Sequence, residues 1–454
     1  MQYDVIIIGG GPGGYSAAFE AAKYKMKTCI VEERELGGTC LNRGCIPTKT
    51  LVHTADLIRE MKTVSSSGIQ ISDPVLDRAA LNEKKEAVVG NLRDGLAKQV
   101  KAGKIDLAEG RGTIKDSHTV VVNGEELTAE NIIIASGSVP SFPPVQGKDL
   151  PGVITSDDIL KDIPAYDDMI IIGGGVIGCE IAGIYEAFGT KVTVIEALDH
   201  LLPSLDSELG RSLALVFKKR GIDVHCKSMV QKIEADGDRL TVTYTEKGAE
   251  KTVGGSCVLM AAGRKASVDL FENEKPEMNR GRIVIDENGQ TSIPHIYAVG
   301  DAAWGYPQLA HTASAMGVNV ISHLAGKKAK RDLTCIPSGV YTSPEIGAAG
   351  ITEKEAADRG IQAVSGKANT LANARSLISG SERGFVKITA EKETGILLGA
   401  SLMCERATDL VQELAAGIAM KLTVEEMLKV IHGHPTYAEV IEAALEAVEK
   451  KLSA

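Results

Sequence analysis

The sequence predicts an α/β protein with two Rossmann-like dinucleotide-binding domains and a C-terminal α+β domain. Residues 4–33 and 168–197 form a repeat, in which each copy contains an apolar strand, a glycine-rich turn, an alanine-rich helix and a second strand that ends in glutamate. Such a unit is typical of nucleotide-binding folds with a parallel sheet. The last quarter of the chain lacks this pattern, and its alternating strands and turns predict a separate domain.

Changes in composition mark the boundaries between these domains. A Pro- and Gly-rich stretch at residues 140–147 follows a buried strand, which is typical of a boundary. We predict a first nucleotide-binding domain at residues 1–145 that residues 264–332 complete. A second nucleotide-binding domain is predicted at residues 146–263, and the C-terminal domain at residues 333–454, which should end in two amphipathic helices.

The composition limits the classes of function that the chain can have. The 454 residues carry a formal net charge of −10, which argues against a nucleic-acid-binding protein because such proteins usually display a basic surface. No apolar run approaches the roughly 18 to 20 residues of a membrane helix, and the first residues show no secretory signal. We therefore expect a soluble, cytoplasmic protein.

The glycines of the first repeat have the spacing that binds a dinucleotide. Gly9 makes a tight turn, Gly11 lets the backbone approach a pyrophosphate, and Gly14 lets the helix pack against the strand. The pyrophosphate would then face a helix N-terminus, where free N–H groups favour anions. Glu32, at the end of the second strand, is expected to bind a ribose.

The second repeat carries the same arrangement at Gly173, Gly175, Gly178 and Glu196. A carboxylate at Glu196 suits a free ribose 2′-hydroxyl and repels a 2′-phosphate, which favours NAD over NADP. The residues after it, “ALDHLLP”, contain no arginine that could hold a phosphate. Two nucleotide sites suit a nicotinamide dinucleotide and a flavin dinucleotide, and a flavin could connect NAD to a dithiol.

Two of the eight cysteines, Cys40 and Cys45, lie close together in the stretch “GGTCLNRGCIPTKTL”. The other six are scattered among mostly apolar residues, as expected of reduced core side chains. Taken alone, the pair fits buried thiols, metal ligands, a structural disulfide or a redox couple. No second pair of Cys or His residues has a spacing that suits zinc, so we expect no metal site. The helix N-terminus and the two nucleotide sites favour the redox couple.

The cysteine stretch “GGTCLNRGCIPTK” resembles the redox motif of the FAD-dependent pyridine nucleotide–disulfide oxidoreductases. “IIIASGS”, where Ser136 replaces the usual threonine, is similar to the second FAD motif of that family, and “YAVGDAAWGYPQLAHTASAMG” to the third. “AAGRK” resembles the turn that closes the NAD domain, and “YTSPEIGAAGITE” and “HGHPTYAE” resemble the signatures of the interface, or dimerisation, domain. The resemblance covers essentially the whole chain.

This resemblance implies FAD in the first nucleotide site and NAD in the second. It adds Gly112, Asp301 and Ala310 to the FAD site, with Asp301 at the ribityl chain and the backbone of Ala310 beside the flavin. It adds Gly263 to the NAD site. Lys49, which also belongs to the FAD site, is implied to form an ion pair with Glu180 near the nicotinamide.

The same resemblance implies different roles for the two cysteines and a base for them. Cys45 would lie against the flavin, and Cys40 would meet the substrate. An imidazole can accept a thiol proton at neutral pH and return it, and the position before “PTYAE” favours His434 for this role. Glu439 would orient His434 and stabilise its charged form. In the family these two residues come from the other subunit, which implies a homodimer with a shared active site.

Each part of this base has an alternative interpretation. His432 could be a solvated loop histidine with no role. Thr436 and Glu439 match a capping box before an apolar-periodic helix, so Glu439 could be a plain helix cap. Capping and catalysis need not exclude each other, although one carboxylate is not expected to do both at the same time.

The implied activity is oxidation of protein-bound dihydrolipoyl groups to lipoyl groups with NAD as acceptor, through FAD and the cysteine pair. The form “CLNxGCIPxK” is closest to that of family members with this activity. The expected partner is a separate lipoyl-carrying protein of a 2-oxo acid dehydrogenase or glycine cleavage system. The alternatives are a disulfide reductase of the same family with a glutathione- or coenzyme A-type substrate, and a flavin-binding redox sensor without turnover.

Overall fold

The first repeat folds as a strand, a helix and a second, parallel strand, as its pattern predicts. The computed structural model describes residues 1–381 and 383–453. Val5 to Ile8 pair in register with Thr28 to Val31, so the two strands form the centre of a parallel sheet. The elements of this part of the chain are β1 (Tyr3–Ile8), α1 (Pro12–Lys23), β2 (Thr28–Glu32), α2 (Gly38–Arg43), α3 (Cys45–Thr63), α4 (Arg78–Ala102), β3 (Asp106–Glu109), β4 (Gly112–Asp116), β5 (Thr119–Val122), β6 (Glu125–Ile134) and β7 (Ser138–Pro140).

The first sheet has the order β3-β2-β1-β6-β5-β4. Strands β1, β2 and β3 and the end of β6 are parallel, whereas β4 and β5 form an antiparallel meander with the start of β6. The apolar residues of β1 and of the end of β6 are almost fully buried, as expected of a parallel sheet that helices cover on both faces.

The second repeat builds a second parallel sheet, in the order β11-β10-β9-β15-β8. An antiparallel meander of β12, β13 and β14 is inserted between its strands and was not apparent in the sequence. The elements here are β8 (Val153–Thr155), α5 (Ser156–Asp162), β9 (Asp168–Ile172), α6 (Val176–Ala187), β10 (Lys191–Ile195), α7 (Ser207–Lys219), β11 (Asp223–His225), β12 (Ser228–Asp236), β13 (Arg239–Glu246), β14 (Ala249–Gly255) and β15 (Cys257–Met260).

Both glycine turns lie at the carboxyl ends of the parallel strands, where α/β proteins bind ligands. Gly9 and Gly173 have φ values of +108° and +111°, which favour glycine. A Cβ atom on Gly14 would overlap the carbonyl oxygen of Gly9, and one on Gly178 would overlap that of Gly173. These glycines are therefore required by the packing of helix against strand.

The segment after β15 returns the chain to the first sheet. Strand β19 pairs with β6, and α8 packs against α1. The described part of the chain contains no helix with the length and apolar character needed to cross a membrane. The elements are β16 (Arg264–Ala266), β17 (Met278–Asn279), β18 (Arg282–Ile283), β19 (Ile296–Ala298) and α8 (Ala310–Leu324).

The C-terminal part is an antiparallel sheet of order β20-β21-β24-β23-β22, as its strand and turn pattern predicts. Helix α13 packs on β22 and β23, and α11 packs on β21 and β24. The two expected terminal helices are α11 and α13. The elements are β20 (Ser338–Val340), β21 (Glu345–Gly350), α9 (Glu353–Asp358), β22 (Ala363–Asn369), α10 (Ala374–Ile378), β23 (Phe385–Glu391), β24 (Leu397–Cys404), α11 (Ala407–Ala419), α12 (Val424–Met427) and α13 (Glu439–Leu452).

Candidate active site

Cys40 and Cys45 lie on two consecutive helices, which are separated by a single glycine. Cys40 is in the short helix α2, and Cys45 is the first residue of the long helix α3. A Cβ atom on Gly44 would lie 3.1 Å from the carbonyl oxygen of Thr39 and 3.5 Å from the Cα atom of Cys40. The chain therefore turns back tightly between the two thiols. Both thiols are free and half-buried, and they are hydrogen bonded to each other.

The surroundings make these two thiols chemically unequal. The hydrogen bond from Cys40 lowers the pKa of Cys45 to about 7, with help from the Lys49 ammonium and against the effect of burial. The same hydrogen bond, together with burial, raises the pKa of Cys40. The free N–H groups at the start of α3 also favour a thiolate at Cys45. Cys45 is therefore the thiol that carries negative charge near neutral pH.

Two further side chains lie near the thiols, and neither was predicted from the sequence. Asn42 donates hydrogen bonds from Nδ2 to the carbonyl oxygens of Leu36 and Gly38, each at 3.0 Å, which fixes helix α2. Burial raises the pKa of Tyr15 on α1, and the two nearby cysteines add to this effect. Tyr15 therefore stays protonated at neutral pH in the neighbourhood of the thiols.

Lys49 and Glu180 form the ion pair that was expected between the two nucleotide sites. Nζ of Lys49 lies 3.0 Å from Oε1 and 2.9 Å from Oε2 of Glu180. Burial opposes the charge on Lys49, but Glu180 outweighs it and raises the pKa of the ammonium. Because Glu180 is only 4% exposed, water screens this pair weakly.

A third residue, Tyr341, joins this pair from the C-terminal part of the chain. Its backbone N–H donates to Oε1 of Glu180 at 2.9 Å, and its ring centroid lies 4.6 Å from Nζ of Lys49. Elements from all three parts of the fold therefore meet at one buried carboxylate. Tyr341 was not predictable from the sequence, because its contacts are made by a backbone N–H and a ring face, which no spacing of residues reveals.

The charge on Cys45 should be measurable by alkylation of the reduced protein. Because the thiolate is the nucleophile, the rate of carbamidomethylation of Cys45 should rise with a midpoint near pH 7. Lys49→Met should raise this midpoint by about one unit, since it removes a neighbouring positive charge. Peptide mass spectrometry across a pH series gives the rate at each thiol.

Lys62→Met is the matched control, because Lys62 is exposed near the far end of the same helix. Its midpoint should equal that of the unmodified protein. An equal midpoint in Lys49→Met would contradict the role of the Lys49 ammonium.

One cavity of about 2260 Å³ connects these groups to both glycine turns. This volume is more than twice the upper end of the roughly 300–1,000 Å³ of a typical small-molecule site. Its walls include most of the predicted site residues, namely Gly9, Gly11, Glu32, Cys40, Cys45, Lys49, Gly112, Gly173, Gly175, Glu180, Glu196, Gly263, Asp301 and Ala310. Gly14 and Gly178 lie in α1 and α6, where each packs against the first glycine of its own turn.

In the first glycine turn, the space where a side chain of residue 11 would lie is empty. Only a bound ligand would require this space to stay empty. A Cβ atom on Gly11 would have the Cα atom of Gly38 as its nearest neighbour at 3.7 Å, and φ is −75°. Neither packing nor backbone geometry therefore demands glycine there, whereas the close approach of a pyrophosphate does. This open position fits a dinucleotide.

The other residues predicted for the first nucleotide site make local hydrogen bonds or begin a helix. Glu32 accepts from the backbone N–H of Gly10 at 2.7 Å and from that of Arg34 at 2.8 Å, which leaves lone pairs for a ribose. Asp301 accepts a hydrogen bond from the hydroxyl of Ser138. Ala310 begins helix α8, so its N–H is one of the free donors of a helix N-terminus. This donor set fits FAD.

The second glycine turn repeats the geometry of the first. A Cβ atom on Gly175 would meet nothing within 4 Å, and φ is −73°. Glu196 accepts from the backbone N–H of Gly174 at 2.6 Å and from that of Leu198 at 2.8 Å. Gly263, which follows β15, completes the cavity wall with φ of +111°. This turn therefore fits a second dinucleotide with a free 2′-hydroxyl.

His434 and Glu439 form a hydrogen-bonded pair at the start of α13. Nδ1 of His434 lies 2.7 Å from Oε1 of Glu439, and the backbone N–H of Thr436 donates to Oε2 at 2.7 Å. These hydrogen bonds lower the pKa of Glu439, with His434 as the larger cause. One carboxylate thus orients His434 and binds the turn before the helix at the same time, although only one of these roles at a time was expected.

The predicted capping box is only half formed in the described structure. The hydroxyl of Thr436 donates to the carbonyl oxygen of Gly433 at 2.7 Å instead of accepting from the N–H of Glu439. The helix therefore begins at Glu439 itself, and the capping interpretation of Thr436 is wrong in this respect.

The His434–Glu439 pair and the two thiols lie in different places within one chain. Of the described residues, those that line the cavity include both cysteines but neither His434 nor Glu439. The His434 side chain is 71% exposed, and its Nε2 atom remains available. Ile431, three residues earlier, is 95% exposed. The His434–Glu439 pair is therefore exposed on the surface of this chain and lies outside the cavity that contains the thiols.

The remaining candidate residues suggest no second site. Cys29, Cys179, Cys257 and Cys404 are buried, whereas Cys226 and Cys335 are half-buried, so the expectation of core thiols holds for four of the six. Within residues 1–381 and 383–453, no group of three or more His, Cys, Asp or Glu side chains is placed to hold a metal ion.

Comparison with known proteins agrees with this geometry. Residues 3–317 match the model of the pyridine nucleotide-disulphide oxidoreductase family, and residues 336–445 match that of its dimerisation domain. The chain is 37% identical to a dihydrolipoyl dehydrogenase of Haloferax volcanii, over 99% of this chain and 96% of that protein. It is also 37% identical to a dihydrolipoyl dehydrogenase of Bacillus subtilis, over 99% of each chain.

A solved structure shows the same fold at lower identity. The HOCl-induced flavoprotein disulfide reductase RclA of Escherichia coli is 27% identical, with a TM-score of 0.86 over 99% of this chain and 100% of that chain. The two family matches, the full-length relatives and the shared fold agree with the cysteine pair and the two nucleotide turns. The chain belongs to the pyridine nucleotide-disulphide oxidoreductase family.

Proposed function

We propose that this chain is a dihydrolipoyl dehydrogenase, which oxidises dihydrolipoyl groups on a separate protein with FAD and NAD as cofactors. The observation that carries the proposal is the unequal thiol pair in a cavity shared by two dinucleotide turns. The relatives from Haloferax volcanii and Bacillus subtilis have this activity in their names and match over nearly their whole length.

The residues around the cavity would divide between the two cofactors. Gly11, Glu32, Asp301 and the N-terminus of α8 at Ala310 would hold FAD, and the turn at Gly175 with its neighbours would hold NAD. When bound, FAD accepts an electron pair from the thiol couple and NAD takes it up. The Lys49–Glu180 pair fixes the relative position of the two halves of the cavity.

The thiol pair performs the first half of the reaction by disulfide exchange. In the oxidised protein Cys40 and Cys45 share a disulfide bond. A substrate sulfur that has given its proton to His434 attacks Sγ of Cys40, so that a substrate–Cys40 bond forms and the Cys40–Cys45 bond breaks. Cys45 leaves as a thiolate. Its lowered pKa makes it a better leaving group than Cys40.

The second sulfur of the substrate completes the exchange. After its own proton has passed to solvent, it attacks the substrate sulfur bonded to Cys40, which closes the lipoyl disulfide and releases Cys40. The proton held by His434 passes to Cys40, whose raised pKa favours the thiol form. Two electrons have then moved from the substrate dithiol to the cysteine pair, and one thiolate remains at Cys45.

The active form is a homodimer in which His434 and Glu439 of one subunit serve the thiols of the other. The match of residues 336–445 to a dimerisation domain supports this assembly. So does the exposure of His434 away from the cavity that contains Cys40. The proposed partner is a lipoyl-carrying protein of a 2-oxo acid dehydrogenase or glycine cleavage system. The proposed location of both proteins is the cytoplasm.

Substitutions at the second glycine turn should separate NAD binding from folding. Gly175→Ala should leave the melting temperature almost unchanged, since the added methyl meets nothing, and should weaken NAD binding about tenfold, or about 1.4 kcal/mol. Gly178→Ala should instead destabilise the fold by roughly 1–3 kcal/mol, because its methyl overlaps a carbonyl oxygen. Thermal unfolding and calorimetric titration with NAD measure both effects.

The two variants are controls for each other, since they add the same methyl group to one turn. Unaltered NAD affinity in Gly175→Ala would mean that no pyrophosphate approaches this position.

A substrate panel tests the proposed activity. Rates should be highest with dihydrolipoyl substrates and NAD, and the reduced lipoyl domain of a 2-oxo acid dehydrogenase should be a better substrate than dihydrolipoamide. Rates with oxidised glutathione or coenzyme A disulfide, assayed with NADH and NADPH, should be at least about 100-fold lower, which corresponds to about 2.7 kcal/mol. A preference for either of these disulfides would assign the chain to another activity of the family.

A further inference from the structure

His432 is enclosed between two helices, although its place in a loop suggested a solvated side chain. The ring is 5% exposed. Nε2 lies 3.0 Å from Oε1 of Glu413 on α11, and Nδ1 lies 3.6 Å from Oε2 of Glu442 on α13. One imidazole therefore joins two helices that flank the loop, and the interpretation of a solvated loop histidine is wrong.

The other side-chain contacts of the segment between α12 and α13 lie mainly at its ends, where Leu428 packs against the core and the Tyr437 ring centroid lies 5.5 Å from the guanidinium of Arg375. The segment contains no helix or strand in the described structure. On one side, Asn373 donates from Nδ2 to the carbonyl oxygen of Thr436 at 2.9 Å. On the other side, Val430 and Ile431 are 48% and 95% exposed, so they pack weakly against this chain. Between these ends, the enclosed His432 ring holds the loop to α11 and α13.

Helix α13 presents two carboxylates to two histidines of this loop. Glu439 and Glu442 are three residues apart and so share one face of the helix. Glu439 engages Nδ1 of His434, and Glu442 lies beside Nδ1 of His432, which has no hydrogen-bond partner within the described residues. A small shift or one water molecule would satisfy that enclosed nitrogen.

We propose that His432 is a positioning residue for His434, an inference that rests on the proposed role of His434 as the base. Glu439 holds the ring of His434 at Nδ1, which leaves Nε2 to meet the substrate thiol. The direction of Nε2 of His434 depends on the position of the backbone at His432. The contacts of the His432 ring with Glu413 and Glu442 fix that backbone position. A displacement of about 1 Å at a reacting group can cost roughly 100-fold in rate.

The test uses His432→Ala and His432→Gln in the full-length holoenzyme. His432→Ala should lower kcat with dihydrolipoamide about 10- to 100-fold with little change in KM. His432→Gln, whose amide can still donate to Glu413, should restore part of this loss. The oxidation of NADH by ferricyanide, which needs no thiol and no base, should stay within about twofold, as should the dimer content measured by light scattering.

Matched carboxylate variants locate the effect. Glu413→Gln should resemble His432→Ala in direction, whereas Glu425→Gln on the neighbouring α12 should have no effect. Glu425 is 79% exposed and is paired with Lys429. Equal losses in the two carboxylate variants would overturn the inference.

A double substitution separates this inference from the proposed function. Because His432 acts through His434, adding His432→Ala to His434→Gln should cause no further loss. If His434→Gln alone keeps its rate, the proposed base is wrong. If His434→Gln loses its rate while His432→Ala keeps it, only the positioning role is wrong. Loss of ferricyanide activity or of the dimer in both His432 variants would show that His432 has a structural role. That result would also overturn the positioning role.

Discussion

Replacing Cys45 by serine should reduce turnover with dihydrolipoamide by roughly 10³-fold or more, because no disulfide can form to accept electrons from the substrate. The oxidation of NADH by ferricyanide should persist, since both nucleotide turns lie outside the substituted position. Steady-state rates with the two acceptors measure this contrast. An enzyme that still oxidised dihydrolipoamide at its normal rate would exclude the cysteine pair from the reaction.

Trapping with an aryl disulfide should show which of the two thiols meets the substrate. In Cys45→Ser, Cys40 lacks a partner that could resolve a mixed disulfide, so an adduct with 5-thio-2-nitrobenzoate should accumulate on Cys40. In Cys40→Ser, the remaining thiol is the one expected to face the flavin, so access should limit it and its adduct should form much more slowly, although Cys45 has the lower pKa in the unmodified protein. Intact-protein mass spectrometry gives both rates. Faster trapping at Cys45 would reverse the assignment.

The features that the sequence could predict are those that local patterns encode. The repeat predicted two strand–turn–helix units because a tight turn after a buried strand demands glycine at Gly9 and Gly173, and the following helix demands it at Gly14 and Gly178. The cysteine spacing likewise predicted a pair at the start of a helix. Each of these signals depends on residues within about one turn of each other.

The features that could not be predicted from the sequence depend on contacts between distant parts of the chain. Tyr341 reaches Glu180 across the junction of three units through its backbone N–H, for which any residue could serve. His432 is enclosed because α11 and α13 approach it from two sides, which no pattern around the residue indicates. Glu439 has two carboxylate oxygens and uses them separately, so a choice between capping and orienting was unnecessary.

Replacing His434 by glutamine should lower turnover with dihydrolipoamide about 10²- to 10⁴-fold, the usual contribution of a general base. Glutamine preserves the size and polarity of the side chain but cannot accept a thiol proton at neutral pH. The hydrogen bond to Glu439 can be kept, so dimer content and ferricyanide activity should be unchanged. A fully active His434→Gln enzyme would require another group to accept the proton.

Mixed dimers should show that the base and the thiols of one active site come from different chains. A dimer of one Cys45→Ser chain and one His434→Gln chain has one site with intact cysteines and the partner's intact His434, and a second site that lacks both. Such heterodimers, co-expressed with two affinity tags and purified by both, should recover about half of the unmodified rate, although each parent homodimer is nearly inactive. If the base acted within its own chain, every site of the heterodimer would lack one group, and the rate would stay at that of the parents.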